Sequence, residues 1–443
     1  MKTIILFLLI VVLSNITIAQ TTAIPDANFE QELVNLGLDA VIDGQVLTAH
    51  IDTLTTFYIN SNVVSNLTGI QDFTALSILN IGPNQLSSLD ISQNLALTEL
   101  YCQSNSLTSL DITQNSNLEV LYCRNNSITS LDVSQNLMLS HLNCSLNQLT
   151  SLNVSQNINL TKLECSSNLI SSIDLTQNTI LNYLSLHANQ ITQLDVTQNS
   201  VLDYFQCSDN LLTTLDVTQI DSLRILDCWE NQLTSLDVTQ NLALQAIRFQ
   251  YNSLSSIDLS SQQGTLQELN LSGNLFTELN LSGFPALKHL NCDTNLLSCI
   301  NIKNGNNQSL LGFTAKFNSS LTCIQVDNPA YSQANWFPFQ FWFDSGVNFS
   351  SDCADNCSVG IEEKSLSDLS VYPNPTKGNF TIDFGELKQD VTATLTNNLG
   401  QVILTQQFES TDIIDMEIDA PAGIHFLQLE IDGKIITKKI IKE

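Results

Sequence analysis

The sequence predicts a mostly β fold in two parts. The first is a solenoid of parallel β ladders behind a short N-terminal helical cap, and the second is a small antiparallel β-sandwich. Three observations predict it. Residues 97–160 state one 21-residue unit three times, as LTELYCQSNSLTSLDITQNSN, LEVLYCRNNSITSLDVSQNLM and LSHLNCSLNQLTSLNVSQNIN. A fixed period in this range marks an array of stacked turns that bury a shared core. Within each unit the apolar residues alternate, so Leu100 and Cys102 face in while Glu99, Tyr101 and Gln103 face out. The period ends near residue 320, and from residue 366 alternating apolar strands without a repeat begin.

Taken in order, residues 1–19 read as a secretory signal. Lys2 supplies the positive start, residues 4–13 the apolar run, and Thr17, Ile18 and Ala19 the small-residue cleavage pattern. The run is too short to span a bilayer, and no other stretch is apolar enough, so no transmembrane segment is expected in the mature chain. Residues 20–53 form the N-terminal cap. Their helix has Asp26 as N-cap, Glu30 and Glu32 in its first turns, Phe29, Leu33 and Leu36 on one face, and Gly37 at its exit.

The array covers residues 54–320. Its key core slot runs Ile59, Ile81, Cys102, Cys123, Cys144, Cys165, Leu186, Cys207, Cys228, Phe249, Leu271, Cys292 and Ala315, about thirteen turns. The unit splits into nested halves, because Leu107, Leu110, Ile112 and Asn115 nearly repeat Leu97, Leu100, Cys102 and Asn105. Each turn therefore offers two extended segments to two parallel ladders. β-Branched and turn residues fill LTSLDVSQN and leave no room for a helix on the back.

The frame L-x-x-L-x-L-x-x-N-x-L, filled by Leu97, Leu100, Cys102, Asn105 and Leu107, resembles the leucine-rich repeat, in its short bacterial form. The resemblance implies that the Asn105 amide and its equivalents from Asn84 to Asn295 bond backbone groups of neighbouring turns. Residues 321–353 are aromatic-rich and carry Cys at both ends, and they resemble the C-terminal cap of such arrays in secreted bacterial proteins. Trp336, Phe337, Phe339, Phe341, Trp342 and Phe343 are expected to cover the last open core. Residues 354–365 read as a linker.

Residues 366–443 resemble the type A C-terminal sorting domain of the type IX secretion system. The matching residues are Val371, Tyr372, Pro373, Asn374, Pro375, Gly378, Phe380, Gly400 and Gly423, with the closing GKIITKKIIK. The usual Gly-x-Tyr is here Gly423-Ile424-His425. The resemblance implies outer-membrane translocation by the type IX machinery, removal of this domain, and a product secreted or attached at the outer-membrane surface.

Eleven cysteines divide into two sets. Seven occupy the core slot that Leu186, Phe249 and Leu271 fill elsewhere, so the slot asks for an apolar body. In-register turns ~4.8 Å apart do not suit the ~3.8 Å Cβ separation of a disulfide, and buried free thiols are expected. No histidine keeps phase with them, so neither a metal nor another cofactor is expected. Cys299, Cys323, Cys353 and Cys357 are disulfide candidates in an exported chain, with Cys323–Cys353 favoured across the cap and Cys299–Cys357 left over. Asp90, Asp111, Asp132, Asp174, Asp195, Asp216, Asp237 and Asp258 form a second ladder, read as a solvated or locally hydrogen-bonded face rather than a calcium site.

Fifteen basic residues face 44 acidic ones, a formal charge of −29. That excludes nucleic acid and anionic membrane surfaces as partners. The five histidines have no partner at motif spacing, no catalytic or phosphate-loop motif occurs, and an enzyme is not expected. The outward residues around the core slot vary between turns, whereas the Asp wall is monotonous. Tyr101, Tyr122, Arg124, His141, Lys162, Tyr183, His187, Tyr204, Trp229 and Arg248 are the expected binding residues, because exposed aromatics and Arg on a continuous sheet make hot spots. The function expected is an exported, non-enzymatic binding or adhesion protein for an extracellular protein or glycan. The alternative is a structural spacer or surface coat without a specific ligand.

Overall fold

The structure is a computed structural model that describes residues 19–59, 61–336, 341–353, 370–397, 401–431 and 434–443. The chain divides into two compact units, residues 1–357 and 358–443. Most of the signal segment, the linker, and Phe337, Phe339, Cys357, Gly400 and Gly433 lie outside the described residues, and so does the side chain of Phe341.

The first unit is a parallel solenoid. Fourteen short strands, from Thr56–Tyr58 to Phe341–Phe343, pair into one continuous sheet. Its register follows the sequence period, with Glu99, Leu100 and Tyr101 opposite Val120, Leu121 and Tyr122. The core slot is sealed throughout: Ile59, Cys102, Cys144, Leu186, Phe249 and Ala315 are all 0% exposed. Leu110 and Ile112 face in and Asp111 faces out, as the alternation requires. The fourteenth strand comes from the aromatic cap segment, one more turn than the period counts. Phe343 there pairs with Ala315.

The second ladder is shorter than the nested halves imply. Strands form there only in the last turns, at Glu278–Asn280, Cys299–Asn301, Cys323–Gln325 and Asn348–Ser350. From Asp90 to Asp258 the equivalent segment holds an Asp in every turn but that of Asn153, whereas Asn280, Asn301 and Gln325 are neutral. Like charges ~4.8 Å apart repel by about 1 kcal/mol in water, and amides do not.

Two asparagine ladders hold the turns in phase. Asn147 donates from Nδ2 to the carbonyls of Cys123 and Cys144, while its Oδ1 accepts the Ile128 N–H. The same set recurs from Asn84 to Asn295, as the resemblance implies, and extends to Asn318. The second ladder was not anticipated in this role. Asn94, Asn115, Asn136, Asn157, Asn178, Asn199 and Asn241 are 0% exposed. Each donates two Nδ2 bonds to earlier carbonyls, as Asn157 does to Val133 and Asn136. These bonds give each buried Nδ2 two acceptors and tie each turn to the one before it, adding to the backbone N–H bonds that carbonyls such as those of Val133 and Asn136 already accept.

Both ends of the stack are closed. The helix Ala27–Asn35 starts at Asp26, whose carboxylate accepts the Asn28 and Phe29 N–H groups. Phe29, Phe57 and Phe73 pack with ring centroids 5.4–6.1 Å apart over the first turn. Glu30 is buried and accepts three backbone N–H groups from residues 43–45. Leu36 departs from the expected apolar face: it is the C-cap and 56% exposed, because the helix ends before its side chain turns inward. At the far end Trp336 is 1% exposed and meets Phe313 and Phe349 edge-on, and Phe343 meets the same two rings. Trp342 does not join them. Strand alternation turns it outward, 51% exposed, under the Lys316 ammonium. A disulfide joins Cys323 and Cys353. Cys299 is buried and disulfide-bonded.

Among the described residues, the second unit is one antiparallel sheet of five strands. Its long strands Asn379–Asn397 and Val402–Glu417 shift register between Asp383 and Lys388. The first half of Asn379–Asn397 pairs with Ser370–Tyr372, the second with Gly423–Ile431. Residues from both halves, including Phe380, Ile382, Leu395 and Leu429, share one core, which is how the sandwich is realised. Asn374 accepts the Ile441 N–H and donates to the Lys439 carbonyl, so the Tyr372–Pro375 motif is tied to the last strand. His425, in the Gly-x-Tyr position, is 4% exposed with Nε2 3.1 Å from the Pro421 carbonyl.

Candidate functional site: the outward face of the main sheet

Three outward positions recur on each turn of the main sheet: the first and last residue of the strand, and the second residue after it. The first gives His141, Lys162, Tyr183 and Tyr204 on neighbouring strands. The strand-end position gives Tyr101 and Tyr122, and later Asp227 and Arg248. The post-strand position gives Arg124, His187 and Trp229. All ten expected residues therefore lie along one side of the sheet.

They fall into two groups. Tyr101 and Tyr122 are 5.3 Å apart, and the Tyr101 hydroxyl donates to Glu99. Burial, reinforced by that bond, pushes the Tyr101 hydroxyl up to about 12. Arg124 is exposed beside them. His141 stands apart, its Nδ1 2.9 Å from the Ser140 hydroxyl.

The second group is a continuous chain over six strands. Lys162 pairs with Glu164 at 2.8 Å and holds its ammonium 4.6 Å above the Tyr183 ring. Tyr183 stacks on Tyr204 with centroids 4.5 Å apart and planes at 6°. The Tyr204 hydroxyl donates to Asp227. Asp227 also accepts from Arg248, which grips Glu268 with two bonds of 2.6 and 2.7 Å. His187 and Trp229 lie 5.1 Å apart on the other margin. Between the margins are Ser185, Gln206 and Asp227, with Ser185 donating to Gln206. Burial pushes the Tyr204 hydroxyl up, and the Asp227 charge adds to it. The hydrogen bond to Glu268 holds Arg248 above its ordinary range, and the same bond holds Glu268 below its own.

Asp227 and Glu268 are absent from the expected set. The signal for them is in the register: Asp227 precedes Arg248 by one 21-residue turn, and Glu268 lies two positions before Asn270, which stands opposite Arg248 on the next strand.

The Asp wall behaves differently. Each carboxylate is bound within its own turn: Asp111 accepts both the N–H and the hydroxyl of Thr113, and Asp195 does the same with Thr197. Those bonds hold Asp90, Asp111, Asp132, Asp174, Asp195, Asp237 and Asp258 below the ordinary carboxylate range. A shallow recess on this wall is lined by Leu194, Asp195, Thr214, Asp216 and Asp237. Among the described residues, no group of three or more His, Cys, Asp or Glu is placed to hold a metal ion.

Comparison with known proteins places both units. Residues 370–443 match the family described as the secretion system C-terminal sorting domain. This domain indicates export by type IX secretion, to the cell surface or the medium. Among solved structures, the functional domain of InlJ from Listeria monocytogenes, described as including a cysteine ladder, is 25% identical, with a TM-score of 0.58. The match covers 96% of this chain and 99% of that one. An internalin (inlF) from Listeria monocytogenes is 23% identical over 68% of this chain and 95% of that one, with a TM-score of 0.59. A leucine-rich-repeat protein of Leptospira interrogans is 22% identical over 67% of this chain and 85% of that one, with a TM-score of 0.54. The solenoid has the leucine-rich-repeat fold. No curated protein matches the chain. Among the described residues, no helix is long and apolar enough to cross a membrane.

Proposed function

For an exported leucine-rich-repeat solenoid carrying a secretion sorting domain, we propose a non-catalytic binding function in which the main sheet engages an extracellular protein or glycan. One observation carries the reading. The side chains that differ from turn to turn form linked, half-buried groups of Tyr, Trp, His and Arg on the outward face, Tyr183–Tyr204–Asp227–Arg248 and His187–Trp229 among them. The Asp wall repeats one local arrangement and offers no such variation. Aromatic and Arg side chains dominate binding energy, and side chains already held by neighbours lose little entropy on binding. A solenoid supplies the extended surface, but the fold does not name the ligand.

The test is a binding screen of the full chain against host and environmental proteins and glycans. It compares the parent with a variant carrying Tyr101, Tyr122, Tyr204 and Trp229 changed to Ala. Loss of binding in the variant supports the reading. Binding unchanged by the four substitutions, or none to begin with, supports the spacer role instead.

A further inference from the structure

We propose that the patch spanning Tyr183, Tyr204, His187 and Trp229 takes a neutral glycan; the proposal rests on the reading of this sheet as the binding face. Rings stand on both margins, Tyr183 and Tyr204 at the strand start and His187 and Trp229 just past the strand end. Small and polar side chains, Ser185, Gln206 and Asp227, lie between them. A sugar ring presents apolar C–H faces and a rim of hydroxyls. Aromatic rings with polar tips beside neutral donors and acceptors match both features.

Charge narrows the class. Each cation in and beside this patch already has a carboxylate: Lys162 has Glu164, Arg224 has Asp203, and Arg248 has Asp227 and Glu268. A sulfated or sialylated chain would have to break one of these pairs, against the field of a protein with formal charge −29. The groups left for a ligand include neutral ones, such as the Gln206 amide and the Trp229 indole. The patch is also held in place, with Lys162 over Tyr183, Tyr183 on Tyr204, and Tyr204 bonded to Asp227. Binding then freezes few rotors, which suits a ligand of modest intrinsic affinity.

The experiment arrays the full chain against neutral oligosaccharides (cellohexaose, maltohexaose, chitohexaose and mannohexaose) beside sialylated and sulfated glycans, and titrates the hits by calorimetry. The expected result is binding of a neutral chain, with a Kd that changes little when NaCl is raised to about 0.5 M. Tyr183→Ala and Trp229→Ala each weaken it by roughly tenfold or more. Tyr204→Phe keeps the ring and stays within about threefold. Gln206→Ala also weakens binding, and unchanged melting of each variant shows that the fold is intact. Binding only to acidic glycans, binding of none, or neutral binding indifferent to the Ala variants overturns the proposal. Capture of a basic protein in a salt-sensitive manner, lost in Tyr183→Ala and Trp229→Ala, overturns the glycan and leaves the sheet as the binding face. If those variants alter no binding of any kind, the sheet reading falls as well.

Discussion

Asn147 reaches back one turn to bond the carbonyl of Cys123, while its own Oδ1 holds the N–H of Ile128. One amide thus closes backbone groups on two successive turns, and the stack repeats this link from Asn84 to Asn318. Asn147→Ala leaves the buried Ile128 N–H without its acceptor and takes one of two amide donors from each of the Cys123 and Cys144 carbonyls, which keep Asn126 and Asn168. The expected cost is about 3 kcal/mol, read as a fall in the denaturant midpoint. Gln156→Ala, at an exposed position of the same turn, is expected to stay within about 0.5 kcal/mol. Equal effects from the two would contradict the role given to the amide.

The thiols give a second test. Cys102, Cys123, Cys144, Cys165, Cys207, Cys228 and Cys292 are free and buried. Burial pushes Cys123 and Cys165 up to about 12 and the others in the same direction. A group whose pKa is raised by folding contributes stability in full below its unfolded pKa, near 8.5, and loses it as pH rises. Each thiol then costs roughly 1.4 kcal/mol per pH unit above that point. The native chain should resist alkylation at neutral pH, label at all seven positions in denaturant, and unfold steeply on alkaline titration. Rapid labelling of Cys123 in the native state would place the core slot outside.

The opposite sign applies in acid. Burial pushes the Asp26 carboxyl up, but bonds from Ser65, Phe29 and Asn28 outweigh it and leave it below the ordinary range. The Asp wall is lowered in the same sense. Lowered carboxyls contribute stability above the unfolded pKa, near 3.9, and lose it as pH falls through their folded values. Melting temperature should hold down to about pH 4.5 and drop below about pH 4. Asp26→Ala should cost about 1 kcal/mol at neutral pH through the lost N-cap, and it should flatten part of the acid decline.

Backbone conformation offers a fourth test. From Asn105 to Asn318 the residue before each ladder asparagine adopts a left-handed conformation, as Leu146 (φ 55°), Ala188 (φ 55°) and Tyr251 (φ 57°) do. Gly273 holds the same place in its turn, and a Cβ there would stand 2.4 Å from the Tyr251 ring. Ala188→Gly should raise stability, by less than about 1 kcal/mol once the flexibility of glycine in the unfolded chain is set against the relieved strain. Gly273→Ala should lower it by about 1–2 kcal/mol. Melting curves with the two signs reversed would contradict the assigned turn.

Much of this was legible before the structure. The period places Cys102 and its equivalents inside, and alternation places Tyr101, Tyr122 and Tyr204 outside, because register is strongly specified where one face is buried. The Asn105 series followed from the repeat frame. The Asn94 series was less legible: which carbonyls of the preceding turn its amides reach is a property of the folded turns. The second ladder was overcounted because alternation in SLDI reads as strand, whereas stacked Asp charges and local Asp111–Thr113 bonds compete with pairing. The Tyr204–Asp227–Arg248–Glu268 chain needs both register and rotamers, and only register is written in the sequence. Trp342 was assigned to the core by composition alone; its place in the strand alternation turns it to solvent.

The account stands most directly on which wall of the solenoid binds. The measurement is the Kd of the partner captured by the full chain, for the parent and two variants. One variant changes Tyr101, Tyr122, Tyr204 and Trp229 to Ala, and the other changes Asp111, Asp132, Asp195 and Asp237 to Asn. The expected result is a loss of roughly tenfold or more in the first and no change in the second. A loss confined to the second would contradict the account.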